Sequence, residues 1–597
     1  MCGICGYIGH NIDKEVIIER MLKEIKHRGP DDSGVWLDHQ LTLGHNRLSI
    51  LDITKNGHQP MVRGNLVIVF NGEIYNYKEI RNELKVTKGQ VFFTQTDTEV
   101  ILVAWEVWGE QALEKFRGMW AFALYNSCTG ELILSRDRFG IKPLYYYRDK
   151  DKFAFSSEIK ALLTIPGISR KACLSTISDY LVIGYHDHRT ETFFEDIKQV
   201  PAGNCLKINV RNNTHSIYCY YDLYKSIYGV KSTIEQFEEI FNETIILHLR
   251  SDVPIGACLS GGLDSSSIAT AASVIVRHNN GNEFHAITAK SEDPRNDETE
   301  YARQVVERMG LTWHLTKPSV YDFQDHWDKC IWHQDEPTGG PSIFMQYWVM
   351  KKAKEVGLKV MLDGQGGDEC LLGYERYYPS FLLHLLGKGR WKRALQEYMA
   401  ITDNSKLNNK QLLLYALYFL SPNIRKLRYK KRIGKFPHEL LVDTLTRLED
   451  SSLTYKNIRQ LQISEICKYQ MPHLLKYEDR NSMAWSIEAR VPFVDHKMIE
   501  TALTLSPEAK IKNGYTKWAL RQIMDGKMPD SITWRTNKIG FEAPTSKWME
   551  VCRKQMTDKI NKSTILKQLG LNLPKNEQLF VFCYNIACWE SIYNVSF

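Results

Sequence analysis

The sequence predicts two domains, an N-terminal α+β domain and a C-terminal α/β domain built on a parallel sheet with a helical insert. Three observations carry this. The chain has 597 residues, more than a single hydrophobic core ordinarily serves. Its first two hundred residues mix short β-type runs with one clear helix. From Ile234 helices and strands alternate, as expected of parallel strands joined by helical crossovers.

In the first domain, Leu66 to Phe70 and Trp120 to Tyr125 read as strands. Leu132 to Ser135 and Tyr145 to Tyr147 follow with turns between them, and Asp97 to Trp108 reads as a helix. Val200-Pro201-Ala202-Gly203 closes this domain, which we bound at residues 1–208. A polar, tyrosine-rich crossover leads to the second domain, 233–597.

Composition narrows the class. Apolar residues make up 43% and charged residues 25%, ordinary for a soluble globular protein. The net charge of +7 is small for this length and gives no case for nucleic acid, although a mildly basic surface attracts anionic small molecules. The 13 cysteines are odd in number and irregularly spaced. No leader-like pattern accompanies Met1-Cys2-Gly3. The expectation is a reducing, cytoplasmic protein with free thiols. The longest apolar run, Leu412 to Leu420, is too short to span a bilayer.

Cys2 is the first candidate for chemistry. Removal of Met1 leaves a residue carrying both a thiol and an α-amine, and an α-amine has a pKa of about 8. Nucleophile and base then share one residue. The alternative, a redox or metal pair in Cys2-Gly3-Ile4-Cys5, lacks a second pair nearby.

The second candidate is Ser260-Gly261-Gly262-Leu263-Asp264-Ser265-Ser266. The apolar run Val253 to Leu259 precedes it as a buried strand, and a helix starts by Ser267. Two glycines let a ligand approach the backbone. Serine hydroxyls and free helix N–H groups suit phosphate. Asp264 beside phosphate implies an intervening divalent cation, Mg²⁺. The alternative is a Gly-rich turn with no ligand. A second Gly-rich loop, Asp363-Gly364-Gln365-Gly366-Gly367-Asp368-Glu369, follows the strand at Lys359 to Leu362. In an open α/β sheet two such loops at strand C-termini can face each other across one nucleotide.

Resemblance decides between these readings. The N-terminal Met1-Cys2-Gly3-Ile4-Cys5-Gly6 is similar to the start of class II glutamine amidotransferases. Four further pieces match in order: His27-Arg28-Gly29-Pro30-Asp31, His45-Asn46-Arg47-Leu48-Ser49-Ile50, Phe70-Asn71-Gly72-Glu73-Ile74-Tyr75-Asn76 and Thr96-Asp97-Thr98-Glu99. The stretch Ser260 to Ser266 resembles the pyrophosphate loop of ATP-pyrophosphatases. In its longer context, from Arg250 to Gly256, it resembles the glutamine-hydrolysing asparagine synthetase family. That likeness returns at Leu475 to Ala484, Glu488 to Asp495 and Gly514 to Arg521, and covers roughly 1–545.

The resemblance implies a four-layer αββα N-terminal-nucleophile hydrolase sandwich joined to a PP-loop α/β domain. It implies that Cys2 hydrolyses glutamine, with Asn71 and Gly72 as oxyanion donors. Arg47 would grip the glutamine carboxylate, and Glu73 and Asp97 its ammonium. ATP and pyrophosphate would be held by Leu259, Ser260, Gly261, Gly262, Asp264, Ser265, Ser266, Ile287, Asp363, Gly364, Gln365 and Lys517. Asp264 and Asp368 would hold Mg²⁺, and Lys517 would neutralise the leaving pyrophosphate. ATP and Mg²⁺ are the implied cofactors, and glutamine, aspartate and ATP the substrates. No nucleic acid or membrane partner is expected, and a homodimer is left open.

One departure stands out. The best-studied asparagine synthetases have Glu where this chain has Gln365, and Gln cannot act as a general base. The acceptor carboxylate and the destination of the proton are therefore open, and a sugar acid or secondary metabolite is an alternative to aspartate. Asp137 to Tyr145, Phe155 to Leu162 and the Glu488–Arg490 pair read as structural. The basic run Arg425 to Arg432 reads as a solvated surface helix rather than a nucleic-acid patch. Lys538 to Pro544 resembles a loop of bacterial family members, and the sequence beyond Ser546 is uninformative.

Overall fold

The structure is a computed structural model that describes all residues except 10–12, 213, 281–282, 435, 537–541 and 572. Most of the Lys538 to Pro544 loop lies outside the described residues.

Two six-stranded antiparallel sheets form the N-terminal part. In the first, the order is Ile197–Gln199, Tyr145–Arg148, Phe153–Ser156, Gly3–Ile8, Leu41–Arg47, Asp32–Leu37. In the second it is Thr214–Cys219, Asn204–Asn209, Glu131–Arg136, Gly118–Asn126, Leu66–Ile74, Met61–Arg63. The two sheets bury a shared layer that includes Ile4, Leu43, Val67, Val69, Ala121 and Phe155. Alternating side chains of each strand supply that layer, because successive residues point to opposite faces. The helix Asp97–Trp108 covers the outer face of the second sheet and carries buried Val100 to Ala104. This is the expected four-layer arrangement.

The C-terminal sheet is parallel and five-stranded, in the order Thr312–Thr316, His285–Ala289, Ile255–Cys258, Val360–Leu362, Glu488–Arg490. The strands Thr312–Thr316 and Glu488–Arg490 were not foreseen; the three residues of the latter carry too little periodicity to be read. The strand Ile255–Cys258 is central, and its C-terminal end opens into the first Gly-rich loop.

The segment between the second Gly loop and Met471 is a stack of helices, from Tyr378–Gly387 to His438–Leu453. Its basic run lies in Pro422–Ile433, a surface helix with Arg428, Lys430 and Lys431 exposed, but two of its arginines are packed inward. Arg425 is buried, with its guanidinium over the Tyr418, Phe419 and Tyr455 rings. Arg432 bonds the Leu181 and Val182 carbonyls. Long basic side chains covering aromatic surface explain this. The final helix Glu577–Tyr593 is buried along most of its length and packs Trp589 against Phe193 and Phe194.

The two parts meet through buried charge. Arg28 bonds Asp479 at 2.8 Å and Glu158 at 2.8 Å. Arg480 pairs with Glu158 at 3.1 Å and Asp335 at 2.9 Å, and Lys160 with Asp335 at 2.8 Å. All six side chains are buried. The Phe155 to Leu162 motif thus has the structural role expected of it.

Candidate active sites

The first site lies at the N-terminus, against the second sheet. The strand Leu66–Ile74 runs four residues beyond the predicted stretch, so Asn71, Gly72 and Glu73 are strand residues. The Cys2 backbone nitrogen donates to Asn71 Oδ1 at 2.9 Å. That oxygen is therefore placed to hold the α-amine once Met1 is removed. The other end of the same side chain, Nδ2, is buried and has no protein partner. An unpaired buried donor is costly, and one aimed beside a nucleophile is suited to an oxyanion. A Cβ on Gly72 would meet the Met119 carbonyl oxygen at 2.1 Å, so the backbone there tolerates no side chain.

Burial pushes the Cys2 thiol pKa up; the terminal amine, the Leu48 N–H and Arg47 pull against it. Arg47 is itself fixed by the Thr54 carbonyl at 2.6 Å, Leu51 at 3.3 Å and Asp52 at 2.5 Å. Glu73 and Asp97 are both buried. Burial, then the Asp97 charge, raises the Glu73 pKa well above the carboxylate range. Burial raises Asp97 to about 6, against the Ile74 N–H at 2.9 Å. Two carboxylates held in so unfavourable a state form a receptor for a cation. Cys5 is buried and points to the Gly44 carbonyl, away from any metal-like cluster; none occurs among the described residues.

Three further residues at this site escaped sequence reading. Glu488 Oε2 holds the Met1 amine at 2.9 Å, and its Oε1 accepts from Arg490 Nε at 2.6 Å. Arg490 in turn reaches Glu73 at 3.5 Å. Arg28 Nε donates to the Cys2 carbonyl at 3.0 Å. Their motifs were visible, but nothing local links residue 488 to residue 1.

The second site lies at the C-terminal ends of the parallel strands. The helix begins at Leu263, earlier than predicted, so Asp264 and Ser265 sit in its first turn. Ser260 and Ser265 hydroxyls are 3.0 Å apart, and Leu259 N bonds the Ile287 carbonyl at 2.9 Å. Gly261 has φ +76°, and a Cβ there would meet Ala302 N at 2.7 Å. A Cβ on Gly364 would meet Ser265 N at 2.9 Å, so the two Gly loops touch. Between them opens a cavity of about 390 Å³. It is lined by Leu259, Ser260, Gly262, Asp264, Ser265, Ile287, Asp363, Gly364, Gln365 and Asp368 among others. Gly261 and Ser266 stand behind this wall; Ser266 faces the helix's buried side.

Lys517 comes from the start of the helix Trp518–Met524, with φ +53°. Its Nζ lies 2.5 Å from Asp264 Oδ2 and 2.6 Å from Asp368 Oδ1. Burial lowers its pKa, but the two carboxylates more than offset this and the net shift is upward. The two carboxylates already hold one cation between them, so their donor set fits a hard divalent ion. An adjoining cavity of about 580 Å³ is lined by Lys517, Asp368, Tyr374 and Arg535 among others. A Cβ on Gly373 would strike Asp368 Oδ1 at 2.0 Å and Lys517 Cε at 2.1 Å, a requirement the sequence reading missed.

Comparison with known proteins assigns both parts. Residues 1–221 match the glutamine amidotransferase domain family, and residues 236–581 match the asparagine synthase family. A protein with these two parts is a glutamine-dependent amidotransferase of the asparagine synthetase type, a carbon–nitrogen ligase with an N-terminal-nucleophile domain. The chain belongs to the asparagine synthase family. It is 31% identical over 575 residues to glutamine-hydrolysing asparagine synthetase 1 of Bacillus subtilis (strain 168), covering 92% of this chain and 88% of that protein. It is 28% identical over 637 residues to synthetase 3 of the same organism, covering 100% of this chain and 99% of that one. It is also 26% identical over 613 residues to the amidase chry2 of Gibberella zeae, covering 92% and 90%. No helix among the described residues is long and apolar enough to cross a membrane.

Proposed function

We propose that the chain amidates aspartate to asparagine with glutamine-derived ammonia, consuming ATP and releasing AMP and pyrophosphate through a β-aspartyl-adenylate. The work divides between a glutaminase domain at 1–208 and a synthetase domain at 233–597, in the cytoplasm. The observation that carries the reading is that Asp264 and Asp368, which line the cavity between the two Gly loops, both meet Lys517, which reaches them from the adjoining cavity. Names of the bacterial relatives support the acceptor.

In the glutaminase site, the Cys2 thiol gives its proton to the α-amine and attacks the carboxamide carbon of glutamine. The amine is held by Asn71 Oδ1. The oxyanion is met by Asn71 Nδ2 and the Gly72 N–H. Arg47 holds the α-carboxylate, and Glu73 and Asp97 the α-ammonium. The Cys2 thioester is hydrolysed to glutamate, and ammonia moves to the second site.

In the synthetase site, Leu259, Ile287 and Gly364 border the nucleotide, and Ser260, Gly262 and Ser265 meet its phosphates. Asp264 and Asp368 would hold Mg²⁺, which supplies charge neutralisation on the phosphates when bound. Lys517 follows the charge that builds on the departing pyrophosphate.

The amidase relative and Gln365 favour a second reading, the same chemistry on another carboxylate. Pyrophosphate release from ATP, Mg²⁺ and glutamine, with and without aspartate, separates the two when joined to amino-acid analysis. Aspartate-dependent pyrophosphate with matching asparagine is the expected result. Glutamate without aspartate-dependent pyrophosphate would overturn the acceptor.

A further inference from the structure

Residue 365, which lines the nucleotide cavity, is a glutamine, and its amide cannot act as a general base. We propose that Glu478 is the base, taking a proton from ammonia as it attacks the acyl-adenylate. This deepens the function proposed above and rests on it.

Glu478 belongs to the helix Met471–Met483 and is buried to 3% exposure. Its Oε2 accepts from the Gln346 side-chain amide, and Gln346 lines the nucleotide cavity beside Asp363 and Gln365. Asp363 flanks the same amide. The other carboxylate oxygen, Glu478 Oε1, is buried and has no protein partner. A buried carboxylate oxygen without a donor is expensive and calls for one. The charged groups that act on Glu478 are Asp363, Lys142 and Asp479.

Its place between the two sites is the second argument. Arg28 bonds the Cys2 carbonyl and, with both Nη atoms, the Asp479 carboxylate at 2.8 and 3.1 Å. The next residue back along the helix is Glu478. The chain of contacts from the glutaminase nucleophile therefore ends one residue from a carboxylate that touches the nucleotide cavity wall. Tyr477 and Leu474 of the same helix line that cavity.

Two acids on either side of one amide, one buried and one at the cavity wall, resist full ionisation. Burial, then Asp363, raises the Glu478 pKa well above the usual range, and burial raises Asp363 too. A pair that shares one proton keeps one basic oxygen. As nitrogen forms its bond to the acyl carbon, one N–H proton passes to that oxygen. The bond from carbon to the AMP oxygen then breaks, AMP leaves with the bonding electrons, and a neutral amide remains. The second proton on the pair returns to solvent. No further reactant is needed.

The test uses the full chain, ammonium chloride as nitrogen donor and aspartate as acceptor. E478Q is expected to lower amide formation about 100-fold or more, the range of general acid–base catalysis. Aspartate-dependent ATP–pyrophosphate exchange, which reads adenylation alone, is expected to be kept. Glutaminase activity in the same preparation reports that the variant is folded. E478D is expected to recover part of the loss, and adding Q365E to E478Q to recover more. Unchanged amide formation in E478Q would overturn the proposal. So would exchange that falls in step with amide formation, since that marks a structural role. Absence of aspartate-dependent exchange in the parent enzyme would instead overturn the acceptor, and this inference with it.

Discussion

Lys517 Nζ lies 2.5 Å from Asp264 Oδ2, joining two residues 253 positions apart beside the first Gly-rich loop. The ammonium also meets Asp368, so a single cation neutralises two carboxylates in a buried place. Removing it leaves two like charges facing each other and no positive partner for a departing pyrophosphate. We expect K517M to lower pyrophosphate formation by about 10²–10³-fold, the scale of one preorganised electrostatic donor. Glutaminase activity, which uses none of these residues, serves as the folding control.

The Cys2 amide nitrogen already rests on Asn71 Oδ1. Glutamine-dependent synthesis in C2A is therefore expected to vanish while ammonia-dependent synthesis is kept. Product analysis with each nitrogen source checks this. N71D is expected to lose glutaminase turnover as well, because the side chain can no longer donate to an oxyanion.

Asp97 must be ionised to hold an ammonium, and burial places its pKa at about 6. Above pH 6 the carboxylate is charged and glutamine binds. As pH falls through 6 it takes a proton, and KM for glutamine is expected to rise. D97N is expected to raise KM about 10- to 100-fold at neutral pH, the worth of a charged hydrogen bond. Steady-state glutaminase kinetics from pH 5 to 8 read both, where the pH limits bracket the shift.

Arg28, Glu158, Asp479 and Arg480, all buried, tie the two parts together. D479N strands the Arg28 charge, and breaking such a pair costs about 3–5 kcal/mol. The first thermal unfolding transition is expected to drop accordingly. Burial pushes the Asp479 pKa up, but Arg28 and Lys142 more than reverse it and the net shift is down. Glu158 is likewise depressed well below its ordinary value by His27, Lys160 and Arg480, against burial. Depressed acids stabilise the fold above their unfolded pKa, and that contribution is lost as pH falls through the folded pKa. Melting temperature should therefore hold from pH 7 to the usual carboxylate range and fall steeply below it, less so in D479N.

Much of the candidate site was legible because its signals are local. The helix Asp97–Trp108 has the predicted bounds, set by an N-capping Thr96 and a terminating Gly109. Gly-rich turns after apolar strands announced both loops, since backbone freedom and strand burial are written in adjacent residues. Other elements were illegible for the opposite reason. The strand Glu488–Arg490 owes its conformation to its neighbour Val360–Leu362. The terminal helix is apolar on most sides, with no stripe to show which face is buried. The burial of Arg425 within the basic surface helix was not read because the aromatic rings that cover it come from other segments.

By itself, then, the sequence determined the two-part architecture, a candidate nucleophile at residue 2 and two Gly-rich loops after strands. Turn chemistry and strand burial show the loops, and the family resemblance gives Cys2 and the loops their expected roles. Tertiary structure alone decided which charges meet. It brought Glu488 to the amine of Met1, Asp479 to Arg28 and Lys517 to Asp264, across 487, 451 and 253 residues. It also turned Glu478, an undistinguished residue in a motif, into a buried acid beside Gln346 and Asp363. Charge interactions act through space and strengthen as water is excluded, so their partners are fixed only when the chain has packed.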